Sequence, residues 1–320
     1  MISDEVLLGE LQKIQDEAIR NFPEDLAGLY DPLKHMLGQK GKQVRPLLCL
    51  RACLSQGGSY ENAIMPALAL EWFHNFTLIH DDVMDNADTR RGLPTVAKKW
   101  GANAALLSGD VLLMKSMQLL HSYSGPNKDR ITELFIQMAT GICEGQQMDM
   151  DFEKKENAGL EGYIEMVSLK TAILFGSSLK IGALAGNGGE QEANHLFECG
   201  LKIGIAFQIL DDLMDVFPRS EQFGKKVGGD IIQGKKTWLR IKAENLADQN
   251  PLQKKELVMA FNEPDLEKRV EWVKQHFRNM NIEALALQEA GNFSEAGFDH
   301  LRKTKPSVYR DQLENLLKKH

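Results

Sequence analysis

The sequence predicts an all-α protein, a bundle of many helices folded as one unit. Long segments carry apolar residues at spacings of three and four, the period of a buried helix face. Breaker residues separate these segments, and alternating strand-like runs are nearly absent.

The clearest helical segments run from about Glu5 to Ile19, Asn62 to Met84, Ala104 to Leu120, Ile131 to Met150, Tyr163 to Ala185 and Gln191 to Val216. The breakers between them are Gly57-Gly58, Gly92-Leu93-Pro94, Gly125-Pro126 and Gly186 to Gly189. No shift in composition and no long linker marks a second domain, so residues 1–320 are expected to form a single all-α domain. The chain beyond about Lys242 is more polar and gives weaker helix predictions.

Composition argues against several classes of protein. The net charge of −7 disfavours a general nucleic-acid binder, which usually carries a basic excess. The four cysteines form no C-x-x-C pair, and Cys49 and Cys53 are expected to be buried thiols in a reducing compartment. The N-terminal segment lacks the apolar stretch of a signal peptide, and no run approaches the roughly 18 apolar residues of a membrane span. The sequence therefore predicts a cytoplasmic protein.

Two acidic motifs point to metal chemistry. Asp81-Asp82-Val83-Met84-Asp85 and Asp211-Asp212-Leu213-Met214-Asp215 both read D-D-x-M-D, and each ends a long apolar-periodic segment. On a helix, positions i and i+4 lie on one face, so each motif presents two carboxylates to the same space. Such close like charges destabilise a helix, and a bound Mg²⁺, which prefers oxygen ligands, would remove that penalty. The alternative is a solvated acidic helix end, which the recurrence of the motif disfavours.

Basic segments with glycine or proline lie near these motifs or in breaker-rich stretches. They are Gly41-Lys42-Gln43-Val44-Arg45-Pro46, Arg90-Arg91-Gly92, Gly224-Lys225-Lys226 and Gly234-Lys235-Lys236-Thr237. Glycine lets the backbone approach a phosphate, and arginine grips a phosphate in a fork. Any one basic pair is ordinarily solvated surface. Together with two acidic motifs, however, these segments match a Mg²⁺–diphosphate, which needs positive charge around the leaving group.

With these motifs the chain resembles the trans-isoprenyl diphosphate synthases, or polyprenyl synthetases. The family's first aspartate-rich region looks like the block here that begins at His74. That block continues through Leu78-Ile79-His80-Asp81-Asp82 and Asp85 to Arg90-Arg91-Gly92 and Pro94-Thr95. The second region and its following loop are matched by Gly204, Gln208, Asp211-Asp212, Asp215, Gly224-Lys225, Gly229-Asp230, Gly234-Lys235 and Thr237. Further matches are Gly41-Lys42, Arg45-Pro46, Gly109-Asp110, Gly145-Gln146, Asp149 and Lys170-Thr171. The resemblance implies the all-α terpenoid synthase fold around a deep central cavity, usually as a homodimer.

The resemblance also implies a role for each matching position. Three Mg²⁺ ions with substrate bound would be ligated by Asp81, Asp85 and Asp211, with Asp82, Asp212 and Asp215 as further ligands or as groups behind them. The allylic diphosphate would be contacted by Arg90, Lys170, Lys225 and Lys235, and the allylic cation would lie near Thr171 and Gln208. Isopentenyl diphosphate would be held by Lys42, Arg45, His74 and Arg91. Without the motifs, structural roles would be preferred for Thr171, Gln208 and His74, and His80 is expected to be structural.

The implied activity is head-to-tail condensation of isopentenyl diphosphate with dimethylallyl, geranyl or farnesyl diphosphate. Phe76 precedes Asp81 by about 7.5 Å along the helix, where a large ring would close the cavity floor, and Phe73 lies a turn further back. In this family an aromatic residue at that position, followed here by Thr77 rather than a second aromatic residue, is similar to enzymes making geranylgeranyl diphosphate (C20). Farnesyl diphosphate (C15) is the alternative product, and ordinary core packing is the alternative role for both rings.

Two other functions share part of this pattern. A class I terpene cyclase has the same fold and first acidic motif, but it would carry an Asn/Ser/Glu-type second motif and would not need Gly41 to Arg45 for a second diphosphate. A non-catalytic regulatory subunit should have lost some acidic or basic residues, and all are present. The sequence leaves open the product length, the preferred allylic starter and the number of subunits.

Overall fold

The computed structural model describes residues 2–39, 41–155, 159–218 and 227–319 and is mostly helical (78%). The all-α prediction is therefore confirmed. Within the described residues, extended structure is confined to a two-stranded antiparallel hairpin, β1 Thr89–Arg90 and β2 Leu93–Pro94.

The helices follow one another along the chain with short connections. Before residue 160 they are α1 Asp4–Arg20, α2 Ala27–Leu37, α3 Val44–Ser55, α4 Glu61–Met84, α5 Val96–Trp100, α6 Ala102–Ser122 and α7 Lys128–Phe152. From residue 160 they are α8 Leu160–Val167, a π-helical turn Ser168–Ala172, α9 Ile173–Ala185, α10 Glu190–Val216, α11 Gly229–Gln233, α12 Trp238–Ala247, α13 Pro251–Phe261, α14 Leu266–Asn279, α15 Ile282–Arg302 and α16 Val308–Leu317. The predicted breakers all lie outside these helices.

The chain divides into two compact units. Unit 1 comprises Met1–Ala139, Ser177–Phe197 and Leu301–Lys319, and unit 2 comprises Thr140–Gly176 and Glu198–His300. The single domain expected from the sequence stays a prediction.

Helix α4 is the most buried long helix in unit 1. It buries residues all round its circumference, among them Trp72 and Phe73, so it lacks the single apolar stripe of a surface helix. It packs against α3 and closely against α6, where a Cβ at Gly109 would lie 2.3 Å from His80 Nε2. On α3, Cys49 and Cys53 are fully buried free thiols, as predicted. This packing fixes the end of α4, which carries the first acidic motif.

Unit 2 has its own core, to which Tyr163, Leu213, Trp238 and Phe277 contribute. Two glycines bring other helices against the π-helical turn. A Cβ at Gly204 of α10 would lie 2.6 Å from the Cα atom of Ala172, and a Cβ at Gly145 of α7 would lie 2.3 Å from the backbone N of Lys170. Both helices are therefore in backbone contact with this turn, which carries two of the predicted site residues.

One helical stretch among the described residues, Leu160–Ala185, is long and apolar enough to cross a membrane. The expectation that no segment has the length and hydropathy of a membrane span is therefore wrong by these two criteria. In this structure 67% of its most apolar window is buried inside the protein, which is the pattern of a core helix.

Candidate active site

The first acidic motif lies at the C-terminal end of α4 in unit 1. Asp81 and Asp82 belong to its last turn, and Asp85 is the C-cap residue. Asp81 is half-buried and Asp85 is exposed, so the two carboxylates at i and i+4 both reach solvent, as the spacing predicts. Asp82, between them in sequence, is buried.

Asp82 is bound by Arg90 of the hairpin. The guanidinium Nε lies 2.9 Å from both carboxylate oxygens of Asp82, and Nη2 lies 2.8 Å from Oδ1. Burial raises the pKa of Asp82, and the hydrogen bonds and charge of Arg90 act in the opposite direction. Asp82 therefore fixes Arg90 next to the motif, a different task from that of the more accessible Asp81 and Asp85.

The hairpin also orients Arg91. Arg91 and Gly92 form its two-residue turn with φ values of 53° and 77°, the left-handed geometry that such turns favour. Arg91 Nη1 donates to the Gln39 carbonyl at 3.1 Å. A Cβ at Gly41 would lie 2.7 Å from Arg91 Nη2, so a side chain at position 41 would displace the Arg91 guanidinium from its place. The hairpin thus brings Arg91 against the loop that carries the exposed Lys42.

Three arginines and a histidine form a cationic cluster in unit 1. The pKa of His74 lies well below its usual value, first because the imidazole is buried and then because of the charges of Arg45, Arg91 and Arg90. Burial also lowers the pKa of Arg45 to about 10, an effect that Glu71 opposes and Arg91 increases. Three guanidinium groups beside a neutral imidazole suit a polyanion such as diphosphate.

The rings predicted to limit product length are buried in unit 1. Phe73 is 1% exposed and Phe76 is 7% exposed. The Phe76 ring centroid lies 5.5 Å from that of Phe73 and 4.7 Å from that of His80. Phe73 in turn meets Phe135 of α7 edge-on at 5.5 Å. Thr77 is half-buried, and its hydroxyl donates to a backbone carbonyl three residues back at 2.8 Å.

A cavity of about 150 Å³ lies within unit 2. Its walls come from α7, α8, the π-helical turn, α10, α11 and the segment before α12. Six residues predicted from the sequence line it: Lys170, Thr171, Gln208, Asp211, Asp212 and Lys235. The structure therefore brings Asp211 and Asp212 of the second acidic motif together with Lys170 and Lys235, two of the four basic residues predicted to bind the allylic diphosphate.

Lys170 and Thr171 lie in the π-helical turn and both line the cavity. Such turns inside α-helices are rare and are frequent at functional sites. The Lys170 ammonium forms an ion pair with Asp149 of α7, which also lines the cavity. Gly145, one turn before Asp149, allows this approach because it has no side chain.

Asp212 is buried and accepts three hydrogen bonds. The donors are Tyr163 Oη at 2.6 Å, Gln208 Nε2 at 3.0 Å and the backbone N of Trp238 at 3.2 Å. Gln208 Oε1 in turn accepts from Thr171 Oγ1 at 3.0 Å. Burial raises the pKa of Asp212 to about 6, and the three hydrogen bonds oppose this rise. In this structure Asp212 thus holds Tyr163, Gln208 and the Trp238 backbone in place through hydrogen bonds.

Asp215 and Asp230 bring further negative charge to the same region. Asp215 Oδ2 accepts from the backbone N of Asp230 at 3.0 Å. The pKa of Asp230 rises to about 7, first through burial and then through the carboxylates of Asp215 and Asp212. The ammonium of Lys235, 3.8 Å from Asp230 Oδ1, acts in the opposite direction.

The donor set fits Mg²⁺. The ligands on offer are carboxylate oxygens, and after burial the neighbouring carboxylates of Asp215 and Asp212 contribute to the raised pKa of Asp230. Among the described residues, no three His, Cys, Asp or Glu side chains form a group that could hold an ion by themselves. Mg²⁺ is commonly held by one or two carboxylates and completed by water and substrate phosphates. The six aspartates stay predicted ligands, and Lys225 lies outside the described residues.

Sequence reasoning assigned no role to several residues of these two sites. Asp149 and Asp230 belong to segments that match the polyprenyl synthetase family, and this match could have indicated that they lie at the site. Tyr163 and Trp238 gave none, because helical periodicity accounts for both as core residues. Glu71 and Gln39 likewise gave none, since only the fold brings them to Arg45 and Arg91.

Comparison with known proteins identifies the family. The family model "Polyprenyl synthetase" matches residues 27–279. This chain belongs to the polyprenyl synthetase family. It is accordingly a prenyltransferase of isoprenoid biosynthesis, and the family uses divalent metal ions.

Several relatives of this prenyltransferase carry a more specific name. The geranylgeranyl diphosphate synthase of Saccharolobus solfataricus is 35% identical over 314 residues, 94% of this chain and 92% of that one. That of Methanosarcina mazei is 39% identical over 223 residues, 69% and 68% of the two chains. The crystal structure of geranylgeranyl pyrophosphate synthetase from Pyrococcus horikoshii matches with a TM-score of 0.89 at 35% identity, covering 98% of this chain and 97% of that one.

The buried imidazole predicts a pH effect. The folded-state pKa of His74 is below its unfolded value, so as pH falls through about 6.5 the unfolded chain gains a proton that the folded chain does not. His74 therefore lowers stability towards acid, with a slope of at most about 1.4 kcal/mol per pH unit. We expect the unfolding free energy of His74→Gln to fall less between pH 7.5 and 5.5 than that of the wild type, as measured by urea denaturation. The exposed His121→Gln is the control, and an equal fall in all three proteins would contradict the assignment.

Proposed function

We propose that this prenyltransferase is a short-chain isoprenyl diphosphate synthase. It would condense isopentenyl diphosphate head-to-tail with an allylic diphosphate and release geranylgeranyl diphosphate. The observation that carries the proposal is the presence of two separate arrays for diphosphate. One is the cationic cluster of unit 1, and the other is the acidic and lysine-lined cavity of unit 2.

The two arrays argue against the competing functions. A terpene cyclase binds one diphosphate and has no use for a second cluster of arginines. A regulatory subunit has no use for Lys170 and Lys235 at an acidic cavity, since these residues serve a leaving group.

In the proposed reaction, the allylic C–O bond breaks while the double bond of isopentenyl diphosphate attacks the allylic carbon. Arg90, Lys170, Lys225 and Lys235 stabilise the departing diphosphate, and Lys42, Arg45, His74 and Arg91 hold isopentenyl diphosphate. Asp81, Asp85 and Asp211 would help to hold three Mg²⁺ ions, which would supply further positive charge at the leaving group. The new carbon–carbon bond forms, and a proton is lost to the departed diphosphate.

Product length is proposed from the aromatic rings of α4. Phe76 and Phe73 are both buried, Phe76 packs on Phe73 and His80, and Phe73 packs on Phe135, so Phe76 is a firm obstacle rather than a mobile side chain. Such an obstacle below Asp81 favours a C20 product, in line with the names of the relatives at 35% to 39% identity. Farnesyl diphosphate, a C15 product, is the second candidate.

A homodimer is proposed from the surface of unit 1. Helix α6 exposes Leu106, Leu107 and Met114, which are 39%, 58% and 56% exposed, and Ile136 of α7 is 48% exposed. Large apolar side chains concentrated on one helix are typical of a protein–protein interface. We further propose that the enzyme works in the cytoplasm, where its four free cysteines would stay reduced.

The activity itself is tested with the purified chain, Mg²⁺, isopentenyl diphosphate and farnesyl diphosphate. We expect a C20 product by thin-layer or gas chromatography after dephosphorylation. Asp81→Ala should lower the rate at least about a hundredfold, because charge stabilisers at a leaving group carry that much. Asp88→Ala, an exposed aspartate outside the motif, is the control. A wild type without product, or an Asp81→Ala variant of near-normal rate, would refute the proposal.

The product-length proposal predicts that Phe76→Ala makes chains longer than the wild type does, because removing the ring opens space below the allylic tail. Phe261→Ala removes a half-buried ring from unit 2 and should leave the product unchanged. The products are compared by chromatography against standards. An unchanged product from Phe76→Ala means that the ring is ordinary core.

The dimer proposal predicts a change in mass on charging the exposed face of α6. We expect the wild type at twice the chain mass by light scattering and the Leu107→Glu/Met114→Glu variant at the monomer mass. Met259→Glu, at a side chain of α13 that is 57% exposed, should stay dimeric. A monomeric wild type would rule out the dimer.

A further inference from the structure

A chain of hydrogen bonds in unit 2 runs from Tyr163 to the predicted site of the allylic cation. The Tyr163 hydroxyl donates to Asp212 Oδ2 at 2.6 Å, and Gln208 Nε2 donates to Asp212 Oδ1 at 3.0 Å. Gln208 Oε1 then accepts from the hydroxyl of Thr171 at 3.0 Å. Tyr163, Asp212, Gln208 and Thr171 all line the cavity, and Tyr163 and Asp212 are 2% and 5% exposed.

The order of donors and acceptors along this chain is fixed from the buried end. Gln208 Nε2 donates to Asp212 Oδ1, so the amide NH₂ of Gln208 faces Asp212. Its carbonyl oxygen therefore faces Thr171, and the single hydroxyl proton of Thr171 is directed to Gln208. The Thr171 oxygen is left with lone pairs, and no proton, for the cavity.

This polarity matters for a reaction through an allylic cation. An oxygen that presents lone pairs stabilises positive charge on a nearby carbon, whereas a hydroxyl that points its proton at that carbon destabilises it. If the Gln208 amide turned over, its NH₂ group would donate to Thr171 and free the hydroxyl proton for the cavity. Tyr163 opposes this reversal because its hydrogen bond, with that of the Trp238 backbone N, fixes Oδ2 of Asp212 and so keeps Oδ1 directed at the Gln208 NH₂ group.

We propose that Tyr163 is a positioning residue that sets the orientation of Gln208, through Asp212, and so directs the lone pairs of Thr171 to the allylic carbon. This inference rests on the proposed function and adds a residue to it. The tyrosine ring also packs in the core of unit 2. The contribution of its hydroxyl therefore has to be separated from that of its ring.

Tyr163→Phe makes this separation, because it keeps the ring and removes the donor. We expect kcat to fall about tenfold, the usual scale for a lost hydrogen bond to a buried charge. The KM for isopentenyl diphosphate should stay unchanged, since the cationic cluster is untouched. Tyr123→Phe is the matched control: Tyr123 is 4% exposed, and its hydroxyl donates to the Pro126 carbonyl at 2.8 Å, away from the site. It should lower the unfolding temperature without changing kcat.

A double-mutant cycle tests the route. If Tyr163 acts through Thr171, the relative kcat of Tyr163→Phe/Thr171→Val should be well above the product of the relative kcat values of the two single variants. The pair Tyr163→Phe and Arg91→Lys should instead lower kcat/KM independently of each other. An unchanged kcat in Tyr163→Phe, or independent effects with Thr171→Val, would overturn the inference. Should Tyr163→Phe not fold, Tyr163→Met, which also removes the donor and keeps an apolar side chain in the core, takes its place in the same cycle and is decided by the same comparison.

The assay also separates the two levels of proposal. If neither the wild type nor the Tyr123→Phe variant forms a prenyl product, both the proposed synthase activity and this inference are contradicted. Product from both, with Tyr163→Phe equally active, would sink the inference alone.

Discussion

Carboxylates held close together in a partly buried place are the constraint on which this protein depends. Burial and the neighbouring Asp215 and Asp212 raise the pKa of Asp230 to about 7, so a negative charge on Asp230 is unfavourable there. The fold keeps these carboxylates close together because each has its own hydrogen-bond donors. Asp212 accepts from three donors, and Asp215 accepts from a backbone N–H. In the proposed synthase a divalent cation would relieve the remaining repulsion, so the unfavourable electrostatics of the free protein would become affinity for metal and diphosphate.

Positive charge is concentrated in the same way in unit 1, and there the backbone makes it possible. Arg91 has a left-handed φ of 53°, and Gln43, at the start of the helix that carries Arg45, has one of 47°. Residues other than glycine rarely adopt this conformation, and it is retained where the surrounding structure enforces it. The missing side chain of Gly41 provides the space that the Arg91 guanidinium occupies. The sequence signature of glycines beside basic residues therefore has a steric origin as well as an electrostatic one.

The sequence predicted the long helices because their periodicity is strong, and α1, α4, α6, α7 and α10 begin and end within about three residues of the predicted bounds. The short helix α5 was not predicted singly because its few turns leave little periodicity to detect. Helix α14 was not predicted singly because it is rich in charged residues, although its few apolar residues do recur on one face. The π-helical turn was also beyond reach, since one extra residue inside an apolar run does not change its composition.

The site was predictable where the chemistry repeats locally and not where it is assembled by the fold. Helical spacing alone predicts that Asp81 and Asp85 share a helix face and that Asp82 does not. In the structure Asp82 accordingly forms an ion pair with Arg90. The hydrogen bond from Tyr163 to Asp212 joins residues 49 positions apart. In sequence each of them has a sufficient explanation without the other, one as a core aromatic residue and one as part of an acidic motif.

The apolar stretch Leu160–Ala185 shows how the two requirements of such a reaction are met in one helix. In the proposed reaction a carbocation would have to be kept from water, which calls for apolar walls, and its leaving group would have to be stabilised, which calls for charge. Most of this stretch is buried as core, yet Lys170 and Thr171 line the acidic cavity from it. They do so from the π-helical turn, where the helix departs from its regular geometry and Asp149 meets the ammonium group. The irregular turn thus lets a helix apolar enough to exclude water deliver a charge and a hydroxyl to the cavity.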